Sequence, residues 1–568
     1  MLGQSVLSKF FKIPVQADLM GIFLLGLVVS TIYFELISFW LPVNYLCLIP
    51  LCLVSIYVTK KNNRFYLEYI QSIRKQILFS PQQYFIFIIF FLLFFSYMVL
   101  PPANPDSADY HILSVTWYER FKVVPGLANV HGRFAFNPAA FIIQAAYAFT
   151  GLFGQPIYSL NATATGLLLA WILVRVCRNR TQWSGVAYLL LLIITSRLLL
   201  ANMSGPSSDP LVTVFTSYTL IRVFELIQSD RLTTGAIIIP CISALFAPIA
   251  KLSAYPLLLI IPFMLLLTKD SKKYFLLYKL SMISCLIYIP WLIRNYIMSG
   301  YLVYPLYFVD FFNPDWKAPK EIPLLDYTYV RYSPKFAWHN ATDFENLTAM
   351  PFFQWLIPWM KAHIQNGSFA ELAILLAALF SPFIWILAGL KKIKNAMPLF
   401  LLWLGVYAYT LLWLKTSPDY RFATSFLCCT FIFPFLFLGN KKSIPAFIPA
   451  SLITIALTVF VIYYEYGGVK LFNRYAVETE HSIQLKYWWL KPLPHPAYAV
   501  NRQAGFQYEI LQTGVRLFRA DKTHNCLCAD LPCMSWDYGK IEMRGKNLDE
   551  GFRNIQNNVK TNYPFLKN

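Results

Sequence analysis

The sequence predicts an all-α polytopic membrane protein with a small outer domain at its C-terminal end. Three observations carry that expectation. The 568 residues are 57% hydrophobic and only 13% charged, with positive mean hydropathy, which is too apolar for an ordinary soluble globule. The apolar residues gather into about thirteen segments of near-spanning length, and a bilayer core of roughly 30 Å needs about 20 such residues per helix. The basic residues between those segments cluster in short connections that fall on one side of the membrane.

In chain order the expected spans are 19–40, 43–58, 84–100, 157–174, 185–200, 210–226, 235–250, 252–267, 274–293, 372–390, 397–414, 422–438 and 446–463. The first is too long for a cleavable signal core and lacks a small-residue cleavage site, so it reads as a retained span. Lys60, Lys61, Arg64, Arg74 and Lys75 fill one connection. Arg175, Arg178 and Arg180, then Lys269, Lys272 and Lys273, then Lys391, Lys392 and Lys394, then Lys441 and Lys442 fill later ones. The positive-inside rule therefore puts the N-terminus in the cytoplasm. It also turns the net charge of +20 into a topological signal, so nucleic acid is not an expected partner.

Three long segments then lie outside: 101–156, 294–370 and everything after 464, with all seven histidines among them. The expected organisation is a membrane module over 1–463 and a C-terminal outer domain, α/β or loop-rich, over 464–568. In the first outer loop, 111–121 reads as an amphipathic helix able to lay Ile112, Trp117 and Phe121 at the interface. Residues 137–153 read as a juxtamembrane or re-entrant helix, because a full span there would move Arg175, Arg178 and Arg180 outside.

The charges that break the positive-inside pattern are the candidates for chemistry. Lys251, Lys415, Arg421 and Arg197 sit at or near outer helix ends, and Arg294 opens the middle outer loop in the same layer. Ionisable groups at that depth are costly and default to functional or paired roles. With Asp106, Asp109 and Asp209 they suggest an outer-leaflet cavity of mixed charge. Such a set suits a phosphorylated lipid: a guanidinium forks onto phosphate oxygens, and a carboxylate takes a proton from an attacking hydroxyl. The alternative is that these charges pair with one another or anchor lipid head groups.

The chain resembles the bacterial GT-C-fold integral membrane glycosyltransferases. The resemblance rests on PDSADYH and VVPGLANVHGRFAFN in the first outer loop, SGPSSDP after the fifth span, AKLSAYP between the seventh and eighth, and IRNYIMSGYLVYP after the ninth. SPDYRF before the twelfth span and CLCADLPC and EMRGKNLDEGFR in the tail also fit. It implies a GT-C-like bundle, a polyprenyl-phosphate sugar donor, and inverting transfer to a lipid, glycan or protein acceptor at the outer face of the bacterial inner membrane. It further implies Asp106 as general base, Asp209 as a second-loop acid that orients substrate, and Lys251, Arg294 and Arg421 as the residues holding the departing lipid phosphate. Asp109 is either a second catalytic carboxylate or a solvated partner of Arg120 or Arg133.

Other features stay open at this level. His111 with Asp106 and Asp109 offers ligands for a divalent metal, although no cofactor is required by the resemblance and no tight His or Cys spacing appears. His111 otherwise belongs with Arg133 and Asn137 as substrate-side residues; the latter two touch sugar hydroxyls or brace the helix that follows. Trp338, His339, Trp355 and Trp359 read as an interfacial aromatic belt or as sugar-stacking rings. Ser535 to Gly539 reads SWDYG, near the WWDYG of oligosaccharyltransferase catalytic subunits, but four matching residues in an aromatic-rich chain assign nothing. Cys526 and Cys533 fit a disulfide closing a short loop, with Cys528 to Cys533 as the other pairing. Two further functions compete: an oligosaccharyltransferase or glycan polymerase using lipid-diphosphate donors, and a flippase of lipid-linked glycans, against which the absence of inverted repeats counts.

Overall fold

The computed structural model describes residues 2–13, 15–61, 88, 102, 104, 106–179, 182–199, 202–336, 350–365, 369–388, 396–439, 507–519, 526, 530–534 and 538–555. The described chain is mostly helical, with a small strand region near the C-terminal end. Among the described residues six helices are long and apolar enough to cross a membrane: α1 (Leu19–Ile37), α2 (Ser159–Arg178), α3 (Asp209–Gln228), α4 (Lys273–Ser299), α5 (Ala396–Thr416) and α6 (Tyr420–Gly439).

Two of the expected spans differ. The 43–58 segment becomes one 3-10 turn and a 14-residue helix, Leu48–Lys61, with exposed Leu53, Ile56 and Tyr57. The 252–267 segment is not a single α-helix: Leu252–Leu259 winds as a 3-10 stretch containing Pro256, and only Ile260–Leu267 is α-helical. Proline removes a donor from the i−4 ladder, which favours the tighter turn. Trp183–Leu199 and Thr234–Ala250 are apolar helices of 17 residues each. The expected spans 446–463 and, apart from Ile88, 84–100 lie outside the described residues.

Local sequence sets the helix ends. Asp18 caps α1 by accepting the Gly21 amide at 2.8 Å, and Thr233 caps Thr234–Ala250 through the Ala236 amide. Gly300 ends α4 in the left-handed region at φ +84°. Helix α3 is the buried axis, packed between Thr234–Ala250 and α6 through the Phe215–Phe246 and Phe224–Phe433 ring pairs at 4.5 and 4.6 Å. Its far end is tied by Glu225, which accepts from Arg175 and from the Tyr188 hydroxyl. Asp209 opens the same helix, so at 1.5 Å per residue the two acids stand about 24 Å apart.

The segment expected to form the first outer loop is folded into the protein. A π-turn, Ser107–His111, leads into α-helix Ile112–Arg120, and Ala139–Tyr147 follows two 3-10 turns. The expectation that Ile112 and Trp117 face the membrane interface is corrected. Both are buried, and the Trp117 ring packs on Phe121 at 5.2 Å and on Phe552 of the tail at 6.0 Å. Ala139 to Ala146 are likewise buried throughout.

In the tail, β1 (Gln507–Ile510) pairs antiparallel with β2 (Arg516–Arg519), and β3 (Cys533–Met534) joins β2 in parallel. A separate ladder joins β4 (Ile541–Met543) to β5 (Phe552–Asn554). Cys526 and Cys533 form a disulfide. The β4–β5 hairpin docks on two earlier segments: the Phe552 amide donates to the Pro125 carbonyl in 101–156 at 2.9 Å, and Arg544 forks onto Asp315 in 294–370 at 2.8 and 3.1 Å.

Candidate functional site

The segments around Asn104 and Asn202 are joined where the carboxylates sit. The Asn104 side chain accepts the Asp106 amide at 2.9 Å and donates to Asn202 at 2.5 Å, fixing the turn that presents Asp106. Asp106 then meets Arg421, from the first turn of α6, at 2.7 Å. Arg421 is held in turn by Asp419, with contacts of 2.8 to 3.2 Å. Asp209 lies in the first turn of α3, where the helix dipole favours a negative charge. It accepts from Ser207 at 3.2 Å and is paired with Lys251, the residue that ends Thr234–Ala250 and whose ammonium stands 4.3 Å from the Phe422 ring centre.

These groups share a cavity of about 670 Å³. Asp106, His111, Arg133, Asp209, Lys251 and Arg421 all border it. Much of the remaining wall is aromatic or aliphatic, with Leu252 and Tyr255 from the 3-10 stretch and Tyr409, Leu412 and Trp413 from α5. Tyr255 and Leu412 are also exposed on the outside of the protein, at 56% and 43%.

Arg133 ties the first loop to the middle one. Its guanidinium stands 3.3 Å from Asp109, 4.0 Å from Asp106 and 3.7 Å from Asp326, between the Tyr110 and Tyr329 rings. Asp326 is fully buried in helix Glu321–Tyr332 and accepts from the Tyr304 hydroxyl at 2.6 Å. Burial pushes its carboxyl up despite Arg133 and Tyr304. Burial acts the same way on Asp106, but Arg421 and Arg133 outweigh it and hold that carboxyl well below the usual range. Asp109 is also lowered, with His131 and Arg133 overcoming its burial. Burial dominates at His111 and takes the imidazole down to about 4, so it is neutral near pH 7.

Three expected site residues stand apart from the cavity lining. Asp109 turns to Arg133 and His131, with His131 at 3.7 Å. Arg294 is 1% exposed; it donates to Asn137 at 3.1 Å and to the Ser38 hydroxyl, with its guanidinium over the Tyr118 ring and in the field of buried Glu35. A cation so enclosed is placed to join α4 to α1 rather than to meet a lipid phosphate, which corrects its expected role. Asn137 accepts from Arg294 and donates to the Trp291 carbonyl at 3.2 Å, which is bracing rather than sugar contact.

Lys415 is exposed and Arg197 half-buried, and neither borders the cavity. Trp355 and Trp359 are buried, with Trp359 stacked 5.9 Å from Tyr420, so neither forms a belt or a sugar platform; Trp338 and His339 lie outside the described residues. Among the described residues no group of three or more His, Cys, Asp or Glu side chains is placed to hold a metal ion.

Sequence reasoning missed Asp419, Asp326 and the helix Glu321–Tyr332, which brings Tyr327, Val330 and Arg331 to the cavity. Their i, i+3, i+4 spacing was the available signal.

Fold and site together define a mostly helical protein with apolar helices of membrane-spanning length and a cavity that is charged at one part and apolar elsewhere. The chain belongs to the DUF8201 family, a domain of unknown function, whose profile matches residues 1–428 and so includes every residue of the cavity. No curated protein and no solved structure matches the chain.

Proposed function

We propose that this protein is a GT-C-type membrane glycosyltransferase that moves a sugar from a polyprenyl-phosphate donor to an acceptor hydroxyl at the outer face of a bacterial inner membrane. The reading includes the bundle of about thirteen spans, the cytoplasmic N-terminus and the periplasmic tail expected from the basic clusters. The observation that carries it is the pairing of Asp106 with Arg421 and of Asp209 with Lys251 inside one cavity whose other walls are largely apolar. An amphiphile with a phosphate head and a hydrocarbon tail matches that division of surface.

In this mechanism the acceptor oxygen attacks the anomeric carbon as its proton passes to the Asp106 carboxylate. The bond from that carbon to the phosphate oxygen breaks, and the polyprenyl phosphate leaves with the electron pair. Arg421 would exchange part of its contact with Asp106 for phosphate oxygens, and that exchange raises the basicity of Asp106 at the moment a base is needed. Lys251 would shield the same phosphate while Asp209 keeps it oriented. No metal is required by these steps.

The test is transfer from a panel of synthetic polyprenyl-phosphate sugars in proteoliposomes. Asp106→Asn is expected to lower turnover by about 10²-fold or more with the fold intact, and Arg421→Ala to raise KM for the donor. Full activity in Asp106→Asn sinks the mechanism. Turnover only on lipid-diphosphate glycans, lost in EDTA, favours the oligosaccharyltransferase or polymerase reading. Lipid-linked glycan crossing the bilayer without transfer favours a flippase.

A further inference from the structure

Among the described residues four cations border the cavity: Arg133, Lys251, Arg331 and Arg421. Arg133, Lys251 and Arg421 each face at least one carboxylate within 4.0 Å. Arg331 differs. It donates to the Tyr327 hydroxyl at 2.7 Å and stands 5.8 and 5.4 Å from the Tyr327 and Tyr332 ring centres, with no salt bridge to a carboxylate among the described residues. A second cation lies behind it. Lys335 is 9% exposed, and its ammonium stands 4.8 Å from the centre of the same Tyr332 ring and 5.3 Å from that of Trp355. It too has no carboxylate partner among the described residues. Burial and the neighbouring Arg331 charge together push the Lys335 ammonium below its usual range.

Two cations flank one ring, and among the described residues neither has a carboxylate beside it. An anion placed against Arg331 would relieve the repulsion between them. The cost of binding is also lower there than elsewhere in the cavity. At Arg421 an incoming anion must displace Asp106 or Asp419, and at Lys251 it must displace Asp209, whereas at Arg331 it displaces a phenol. The position is fixed from the other side as well, because the Ser417 hydroxyl donates to the Val330 carbonyl at 2.7 Å and Ser417 itself borders the cavity.

We infer that Arg331, backed by Lys335 across the Tyr332 ring, is an anion subsite of the cavity that takes a phosphate monoester. This deepens the glycosyltransferase reading by adding a phosphate contact distinct from the Asp106 and Asp209 pairs, and it rests on that reading only for what the phosphate is attached to.

The experiment is equilibrium binding to the full-length protein in detergent. The probes are farnesyl phosphate, farnesol and inorganic phosphate, each measured on wild type, Arg331→Gln, Arg331→Lys and Lys335→Gln. Arg331→Gln is expected to weaken farnesyl phosphate on the order of tenfold or more, the usual cost of a charge-assisted hydrogen bond. Farnesol should bind equally to both, and Arg331→Lys should retain most of the affinity. Displacement of farnesyl phosphate by inorganic phosphate would show that the subsite reads the free anion, and displacement only by lipidated phosphates that it reads a lipid head group. Farnesyl phosphate binding to Arg331→Gln with wild-type affinity, an equal loss of farnesol in that variant, or no farnesyl phosphate binding to wild type overturns the proposal. Sugar transfer is not the readout, so a wild type that binds through Arg331 but transfers nothing would sink the enzyme reading and leave the subsite standing.

Discussion

At the residue scale, burial and pairing decide which groups titrate and in which direction. His111 is 3% exposed, and its imidazole drops from 6.5 to about 4 because burial disfavours the cation. The unfolded chain therefore takes up a proton before the folded one does. Stability from this group is present above pH 6.5 and is lost as pH falls toward 4, by up to about 3 kcal/mol. We expect the wild type to lose more melting temperature between pH 6.5 and pH 4 than His111→Gln does, measured in detergent. Glu119, pushed up to about 7 mainly by burial, acts in the opposite sense but is common to both proteins and cancels in the comparison. Equal pH slopes would refute the assignment. The sequence marked His111 for its acidic neighbours; only packing against Phe141 and Tyr110 made it a neutral, enclosed ring.

At the scale of elements, the tail hairpin packs against the loop that carries Trp117 and Pro125. Gly126 is required at their junction: its φ is +66°, and a Cβ there would lie 2.0 Å from the Phe552 carbonyl oxygen. Phe552 is fully buried, so Phe552→Ala is expected to cost about 3–5 kcal/mol and to undock the hairpin. Limited proteolysis should then cut the tail faster while the helices stay protected. Arg544→Ala, which removes a fork onto the 47%-exposed Asp315, should cost less than about 1 kcal/mol. The reverse ranking would mean that charge rather than apolar contact holds the tail. EMRGKNLDEGFR stood out in the sequence, yet nothing local in it said that its phenylalanine packs on Trp117, more than four hundred residues earlier.

At the scale of the whole molecule, the basic clusters give a directional expectation. In a protein whose free cysteines are replaced by serine, an impermeant maleimide applied to intact cells should label Lys320→Cys. Lys272→Cys should react only after permeabilisation. Labelling of Lys272→Cys in intact cells would invert the orientation and move the cavity to the cytoplasmic face. Both lysines are exposed, so accessibility within the protein does not limit the reaction.

Composition and hydropathy by themselves determined that the chain is helical and apolar enough for a membrane, because those properties sum over local residues. They also marked Asp106, Asp209, Lys251 and Arg421, since charges at helix ends are conspicuous in an apolar chain. Tertiary structure alone decided the partners. Asp106 and Arg421 are 315 residues apart and meet only when the loop carrying Asp106 folds against α6. Arg294 and Asp109 carry the same kinds of charge but turn into the protein, because helix rotation and loop path set where a side chain points. The setting of Arg331, with a phenol and among the described residues no carboxylate beside it, was invisible for the same reason: whether a cation is neutralised depends on what folding brings beside it, and sequence spacing does not encode that distance.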